Sequence, residues 1–555
     1  VNRKAPFPGV FLDLLLVVAG TVMVFWPTLQ SGFDRMQTDP GDTWYLNYVL
    51  EHETRALTRP ASVGTLWSPP FFHPTPETLT YSENLLATLP VYALLRTALP
   101  PDTAYQAWCI AMLASCYAAM ALALRRLGVQ AALSSLGAFI FAYGLQRASH
   151  LGHAQLLPAA FAPLAILAVV LQASEPTRRR FAGLLVASFL QVAAGIYLGW
   201  FLLLGLAVFA SLVFVIDPDL RARQSRFLRE NALFALLALS SWAASLVLFL
   251  RPYLLASRDL PPRPWTDVLL LLPRPRSWFA SPAGSLWARL GDVFPPDTPL
   301  VWEHRLFLGA VPCLLVVIGL VVVLKLRGEG GSRRTIVLAA LGSALILGLV
   351  SLRLPVKELG FSVGGERIEY LTAWKLVYDF APGATSIRAV GRIWTVVLPL
   401  ALVGGLIAFE FVMARLRSAR RRAWLTGTVV LVGIVDQYQA GLPSYDKREN
   451  RAEVRALRSA LAGNGCDAGY VLLDPSRPFY VSQLAAMWGG LESNVPVLNG
   501  YSGNFPAGYP DPTRSMTDSE IASWLSRVSM NRLCIVDSAP PGMPRRIRVV
   551  RIPSE

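Results

Sequence analysis

Three carboxylates, Asp34, Asp39 and Asp42, fall close together directly after the first apolar run of the chain. A carboxylate at a membrane surface can take a proton from a hydroxyl or hold a divalent cation beside a phosphate. Asp42 and Asp39 are therefore the candidate catalytic residues, and Mg or Mn near the pair is the cofactor expectation. The same residues also suit local structure, since Asp42 can cap a helix over 43–57 and Asp39-Pro40-Gly41 is turn chemistry. That helix carries Tyr45, Glu51 and His52 beside a stripe of Leu46, Val49, Leu50 and Leu57. The stripe predicts either a helix lying on the membrane over a lipid groove or one packed on its own protein.

Other polar groups sit at the ends of apolar runs. Phe71-Phe72-His73-Pro74-Thr75-Pro76 is a stiff aromatic connection followed by Tyr81-Ser82-Glu83-Asn84; His73 and Glu83 are candidate substrate-binding residues, with a solvated loop glutamate as the plain alternative. Arg147, His150, His153 and Gln155 follow the third run, and two histidines with no acid nearby are a weak zinc pattern. That group suits phosphate binding or loop ordering better. Lys375, Tyr378, Arg388 and Arg392 form a further set, whose cations run against the tendency of Lys and Arg to stay on the cytoplasmic side. The guanidinium forks of Arg388 and Arg392 fit a phosphate or diphosphate, while lipid phosphates or Asp379 would serve as ordinary partners. Trp302-Glu303-His304-Arg305 is a related, weaker group.

The elements that must position these residues are membrane spans. Of 555 residues, 54% are hydrophobic and only 16% charged, which exceeds what a soluble fold can bury. A run of about 20 residues crosses the hydrocarbon, and eleven such runs are predicted near 9–29, 104–124, 131–147, 157–173, 181–197, 199–216, 231–250, 306–324, 335–352, 393–411 and 423–437. The net charge of +15 is explained by short basic connections: Arg3-Lys4, Arg125-Arg126, Arg178-Arg179-Arg180, the segment with Arg221, Arg223, Arg226 and Arg229, the segment with Lys325, Arg327, Arg333 and Arg334, and Arg415 to Arg422. All lie on one side, the cytoplasmic one, if Leu85–Leu99 is interfacial rather than a crossing. The N-terminus is then inside, and 30–103, 251–305, 353–392 and 438–555 face outward. Nucleic acid is not needed to account for the charge.

Within the last segment, Gly469–Asp474 and Arg532–Asp537 read as strands, and Phe479–Trp488 and Ser519–Val528 as helices, which predicts a small α/β domain over 438–555 beside a membrane module over 1–437. Cys466 and Cys534 flank it and would be able to pair in an oxidising compartment. No GxxxxGK[ST], Rossmann fingerprint, GxSxG or HExxH occurs, and the predicted spans hold few acids, among them Asp13 and Glu410 near their inner ends. ATP-driven, nicotinamide and common hydrolase chemistry lose support, as does ion-coupled transport.

As architecture the whole chain resembles the GT-C superfamily of membrane glycosyltransferases. The residues that carry the resemblance are Gly41-Asp42, Phe72-His73-Pro74, Ser386-Ile387-Arg388-Ala389-Val390-Gly391-Arg392 and Leu498-Asn499-Gly500-Tyr501-Ser502-Gly503. The last two look like segments of YfhO-like and related bacterial groups. The WWDYG motif of oligosaccharyltransferases and the adjacent Asp-Glu pair of protein mannosyltransferases are absent, which leaves sugar and acceptor open.

The resemblance implies a GT-C-like transmembrane fold in the bacterial inner membrane with a periplasmic C-terminal domain. It implies a polyprenyl-phosphate-linked sugar donor and a glycan, lipid or protein acceptor among membrane lipids. Asp42 or Asp39 would serve as base or metal ligand, and Arg388, Arg392, Lys375 and Arg147 would bind the donor phosphate. His73, Glu83, His150, His153 and Tyr378 would contact substrate. A lipid or polysaccharide transporter, a flippase and a non-catalytic glycan-assembly protein are the alternatives.

Overall fold

The computed structural model describes residues 8–59, 64–294, 300–325, 331–356, 362–363, 366–367, 369–526, 528, 530–538 and 545–552. Arg3, Lys4 and Arg327, counted above among the cytoplasmic cations, lie outside them. Helices account for most of the chain. In order they are α1 (Pro8–Gln30), α2 (Asp42–Thr58), α3 (Leu89–Arg96), α4 (Pro101–Arg126), α5 (Ala131–Tyr143), α6 (Leu145–Ser149), α7 (Phe161–Ser174), α8 (Arg178–Ala194), α9 (Ile196–Ile216), α10 (Pro218–Glu230) and α11 (Ala232–Ala256). There follow α12 (Trp265–Leu271), α13 (Ala288–Val293), α14 (Ala310–Lys325), α15 (Gly331–Val350), α16 (Trp374–Phe380), α17 (Trp394–Arg415), α18 (Ala419–Asp436), α19 (Lys447–Ala462), α20 (Phe479–Ser493) and α21 (Asp518–Leu525).

This is a polytopic helical membrane protein. Among the described residues seven stretches are long and apolar enough to cross a bilayer: Gly9–Gln30, Pro101–Arg126, Ala154–Ser174, Ile196–Ile216, Ala232–Ala256, Gly331–Val350 and Val390–Arg415. The other predicted spans fall on α5, α8, α14 and α18, which are helical but shorter or more charged. In the most apolar 18 residues of Val390–Arg415 83% of positions are buried, against 6% in those of Ala232–Ala256, so α17 forms the centre of the bundle while α11 turns most of its Leu and Val side chains outward, as a helix bordering lipid must. Leu85–Leu99 holds only the eight-residue α3, too short to cross.

Around α2 the first loop and the C-terminal region interlock. Residues Thr43 to Glu53 of α2 are all buried, so of the two placements expected for this helix the structure shows the one packed on its own protein; Leu57 alone of the apolar stripe is well exposed. The cover comes from α20, where Trp488 donates its indole N–H to the Trp44 carbonyl at 3.3 Å and meets the Tyr48 ring edge-on at 5.6 Å. Tyr48 also packs on Phe71 at 5.7 Å.

Backbone pairing fixes the register of the two regions. The Phe72 and His73 amides donate to the carbonyls of Asn499 and Val497, and the Val497 amide returns to Pro70. A Cβ on Gly500 would stand 2.3 Å from the Phe72 ring, so only glycine lets these backbones approach. Farther along, β1 (Arg35–Gln37) pairs antiparallel with β2 (Ser444–Asp446), Met36 opposite Tyr445. Burying Phe71 and Phe72 here contributes about 1.5–3 kcal/mol each.

The rest of the C-terminal region follows the sequence pattern. The strand β3 (Ala468–Val471) runs parallel to β4 (Met530–Val536), which pairs antiparallel with β5 (Ile547–Ile552). Ala468, Tyr470, Leu498, Ile521, Leu525, Leu533 and Ile535 belong to a small core beneath this sheet. Cys466 and Cys534 form a disulfide, their Cα atoms 5.7 Å apart.

Candidate active site

Helix α2 opens at Asp42 because Asp39 and Gly41 make the turn before it. One oxygen of Asp39 accepts the Gly41 amide at 2.8 Å, and the N-cap residue Gly41 has no side-chain cap. Asp42 is thus released from capping. Its position in the first turn suits a carboxylate, since the helix dipole favours negative charge there.

The carboxylate of Asp42 instead faces His153. The His153 Nδ1 lies 2.8 Å from Asp42 Oδ2, and its Nε2 lies 3.3 Å from Glu303. Glu303 in turn takes Arg392 at 2.6 Å, and the Arg392 guanidinium stands 5.4 Å over the Tyr197 ring. The other oxygen of Asp42, Oδ1, accepts the Tyr501 hydroxyl at 3.2 Å. One imidazole therefore bridges two carboxylates brought from the first loop and the segment before α14.

The contacts continue until they close. Past Tyr501 and Ser502, the Gly503 carbonyl accepts Arg263 at 2.6 Å. The Arg263 amide donates to Thr385, and its side chain stands close enough to Arg388 to be repelled by it. The Arg388 amide donates to the Tyr197 hydroxyl at 3.1 Å. Asp42, Tyr501, Gly503, Arg263, Thr385, Arg388, Tyr197, Arg392, Glu303 and His153 lie on one ring of contacts, in which the chain itself joins Tyr501 to Gly503 and Thr385 to Arg388. Neither Arg263 nor Arg388 forms an ion pair with any described residue, and Arg388 is exposed.

The charge states follow from these neighbours. Burial would raise Asp42, but the hydrogen bond and charge of His153, the charge of Arg392 and the Tyr501 hydroxyl outweigh it and hold the carboxyl below its ordinary value. Burial and Arg392 would lower His153; the two carboxylates overcome both and push it up to about 9. Glu303, for which burial works upward, is held well below the usual range by Arg392 and His153. At neutral pH the bridge is an imidazolium between two carboxylates.

The sign of the pH dependence is fixed by these directions. A raised His153 contributes fully below about pH 6.5, its ordinary value, and that contribution is lost as pH rises through about 9. Asp42 and Glu303 are depressed, so their contributions fail only in acid. With ring-labelled histidine, an NMR titration is expected to show one imidazole turning over near pH 9, absent in His153→Gln and moved down in Asp42→Asn. A highest histidine value near 6.5 would mean that the bridge does not form.

The remaining candidates have other partners. Glu83 is buried and accepts the Ile196 and Tyr197 amides at the start of α9; burial pushes it up to about 7 against those two bonds. It orients Tyr197. His150 is buried, its Nδ1 at the Gln146 carbonyl, and burial lowers it to about 4 despite Glu303 3.9 Å away. Arg147 is 1% exposed, directs its guanidinium at the Leu156 and Phe141 carbonyls and stacks near Trp394. It holds the His150–His153 loop from behind.

His73 lies in the backbone pairing with the C-terminal region, where its carbonyl accepts the Trp524 indole at 2.8 Å. Lys375 pairs with Asp379 and stands 5.2 Å from the Tyr378 ring, while the Tyr378 hydroxyl donates to the Arg263 carbonyl. Among the described residues no group of three or more His, Cys, Asp or Glu side chains is placed to hold a metal. Asp39 gives one oxygen to its own turn, and the partner of Asp42 is an imidazole favoured as the cation, which cannot ligate. This donor set does not fit a divalent ion held between Asp39 and Asp42.

Sequence reasoning left Glu303 in a minor group and passed over Arg263 and Tyr197. Arg263, between prolines in an outward segment, carried the same contrary-charge signal as Arg388. Tyr197, at the seam of two apolar runs, carried none.

No protein-family model matches the chain, and no curated protein does. Among solved structures it is similar to the apo oligosaccharyltransferase of Archaeoglobus fulgidus, at 12% identity and a TM-score of 0.48 over 95% of this chain and 69% of that one. It is also similar to apo ArnT from Cupriavidus metallidurans, at 12% identity and a TM-score of 0.36 over 95% of this chain and 92% of that one. Both scores are too low for the likeness to bear on the chemistry.

Proposed function

We propose that the protein is a GT-C-type membrane glycosyltransferase. It moves a sugar from a polyprenyl-phosphate donor to a hydroxyl of a glycan, lipid or protein at the outer face of the bacterial inner membrane. One observation carries this reading. The contact ring joins an ionised carboxylate, Asp42, to two arginines that form no ion pair with a described acid. The acid suits an acceptor hydroxyl, and the arginines suit a leaving phosphate.

The acceptor oxygen forms a bond to the anomeric carbon of the donor while the bond from that carbon to the phosphate oxygen breaks. The electron pair leaves with the phosphate, and the acceptor proton passes to Asp42 Oδ1. A carboxyl held this low is a weak base toward a free hydroxyl; it takes the proton late, as the attacking oxygen gains positive character. His153 keeps Asp42 ionised and turns Oδ1 toward the ring. Arg388 and Arg263 meet the charge that develops on the phosphate. Arg392, committed to Glu303, acts by fixing His153 rather than by touching the phosphate. Such a donor needs no nucleotide site, and the Cys466–Cys534 disulfide supports an oxidising side for the C-terminal region.

The test is donor binding and turnover with a radiolabelled polyprenyl-phosphate sugar and purified protein. Arg388→Ala and Arg263→Ala are each expected to weaken donor binding by about 10-fold or more and to lower the rate, since each loses a charged hydrogen bond to phosphate. The phosphate is charged in ground and transition states alike, so binding and rate fall together. Unchanged donor affinity in both variants would sink the reading.

A further inference from the structure

A second arrangement lies beside Asp42, built in part by the first turn of α20. A Cβ placed on Gly41 would lie 2.8 Å from Asp39 Oδ1, 3.8 Å from the Tyr480 ring and 3.9 Å from the Tyr501 hydroxyl. Three groups from two distant parts of the chain therefore converge on one point beside the proposed base. The Tyr480 and Tyr501 rings stand 6.0 Å apart at 48°, and Phe479 meets Tyr480 at 5.9 Å and 81°. All three rings are half-buried and Asp39 is exposed. Only Oδ1 of Asp39 is used, by the Gly41 amide. Among the described residues, Asp39 Oδ2 and the Tyr480 hydroxyl have no hydrogen-bond partner.

The geometry points to an acceptor subsite for a pyranose ring, with Tyr480 as the stacking ledge and Asp39 as the hydrogen-bond acceptor for ring hydroxyls. It rests on the proposed transfer for its direction, and it narrows the acceptor from any hydroxyl compound to a sugar. A pyranose has a C–H face and a polar edge, and a ring with an amphipathic tip beside a free carboxylate oxygen meets both. Charge assigns the two sides. Asp39 and Asp42 repel a phosphate, so the donor's anionic end belongs with Arg263 and Arg388, while a neutral sugar is accepted on the ledge. Glycine at 41 keeps the point of convergence open: any side chain there would stand against Asp39.

The experiment is saturation-transfer NMR with the full chain in nanodiscs. Methyl β-D-glucopyranoside and methyl α-D-mannopyranoside serve as ring probes, and N-acetylserine amide as a peptide-like hydroxyl. Transfer to the ring C–H protons of at least one glycoside is expected, with none to the serine amide. Tyr480→Ala should weaken glycoside binding by about 3- to 10-fold, the range one aromatic contact supplies. Tyr480→Phe should keep most of it, and Asp39→Asn should weaken it while still accepting the Gly41 amide. Equal signals in the parent protein and Tyr480→Ala, no glycoside signal in the parent protein, or a signal from the serine amide in place of the glycosides would each overturn the subsite. Donor turnover into water, measured without any acceptor, separates the two ideas. A protein that binds glycosides at the ledge but never cleaves donor keeps the subsite and loses the transfer. One that cleaves donor while Tyr480→Ala leaves glycoside binding unchanged loses the subsite alone.

Discussion

Asp42→Asn is expected to insert, fold and bind donor like the parent protein, yet lose turnover by about 10²-fold or more. The fold survives because Asp42 is not the cap of α2: the N-cap is Gly41, and the turn before it is held by Asp39. An asparagine oxygen still accepts from His153, so the imidazole keeps a partner at 2.8 Å, but no group remains at Oδ1 able to take a proton. Asp39→Asn should cost less in the rate of donor cleavage, since the amide oxygen can still close the Gly41 turn. Sugar transfer by purified variants, read beside a thermal melt of each, decides the matter. Near-normal turnover in Asp42→Asn would leave Asp42 as an anchor for His153 and nothing more.

Much of this arrangement was legible before any coordinates. Apolar runs of bilayer length became helices where expected, because the hydrocarbon requires every backbone group to be satisfied within the segment and leaves little choice. The strands at Ala468–Val471 and Met530–Val536 and the helix from Phe479 followed from local patterning. Asp42 was legible as an acid at the point where the chain leaves an apolar run.

What was not legible depends on contacts between residues far apart in sequence. Glu303 and Arg392 are separated by 89 positions, so an arginine read as free for phosphate is bound to an acid from another segment. Arg147, a conspicuous cation, is turned inward onto backbone carbonyls. The burial of α2 depends on Trp488, more than 400 residues away, and the apolar stripe of α2 left open whether protein or lipid would cover it. A histidine pair without a nearby acid looked weak because both acids of His153 arrive from distant segments.

The Glu303–Arg392 pair should show the largest effect on stability. Both residues are buried, Glu303 at 4% and Arg392 at 8% exposure, so Arg392→Met leaves a carboxylate with only His153 for company. Removing one partner of such a pair costs about 3–5 kcal/mol, because the other charge stays desolvated and uncompensated. Glu303→Leu should cost a similar amount and also release the Nε2 side of His153. The double variant is expected to recover much of the lost melting temperature, since no buried charge is stranded and well-packed apolar groups often replace an ion pair at little cost.

Turnover should not recover with it. Without Glu303 the imidazole has one carboxylate partner instead of two, its raised pKa falls, and Asp42 is no longer held ionised in one orientation. The set of four proteins therefore separates two roles that a single variant confounds: packing, which the double variant restores, and positioning of Asp42, which it does not. Single variants that melt with the parent protein would mean that the pair is not buried as a unit. A double variant with full turnover would mean that His153 and Asp42 work without the support of Glu303.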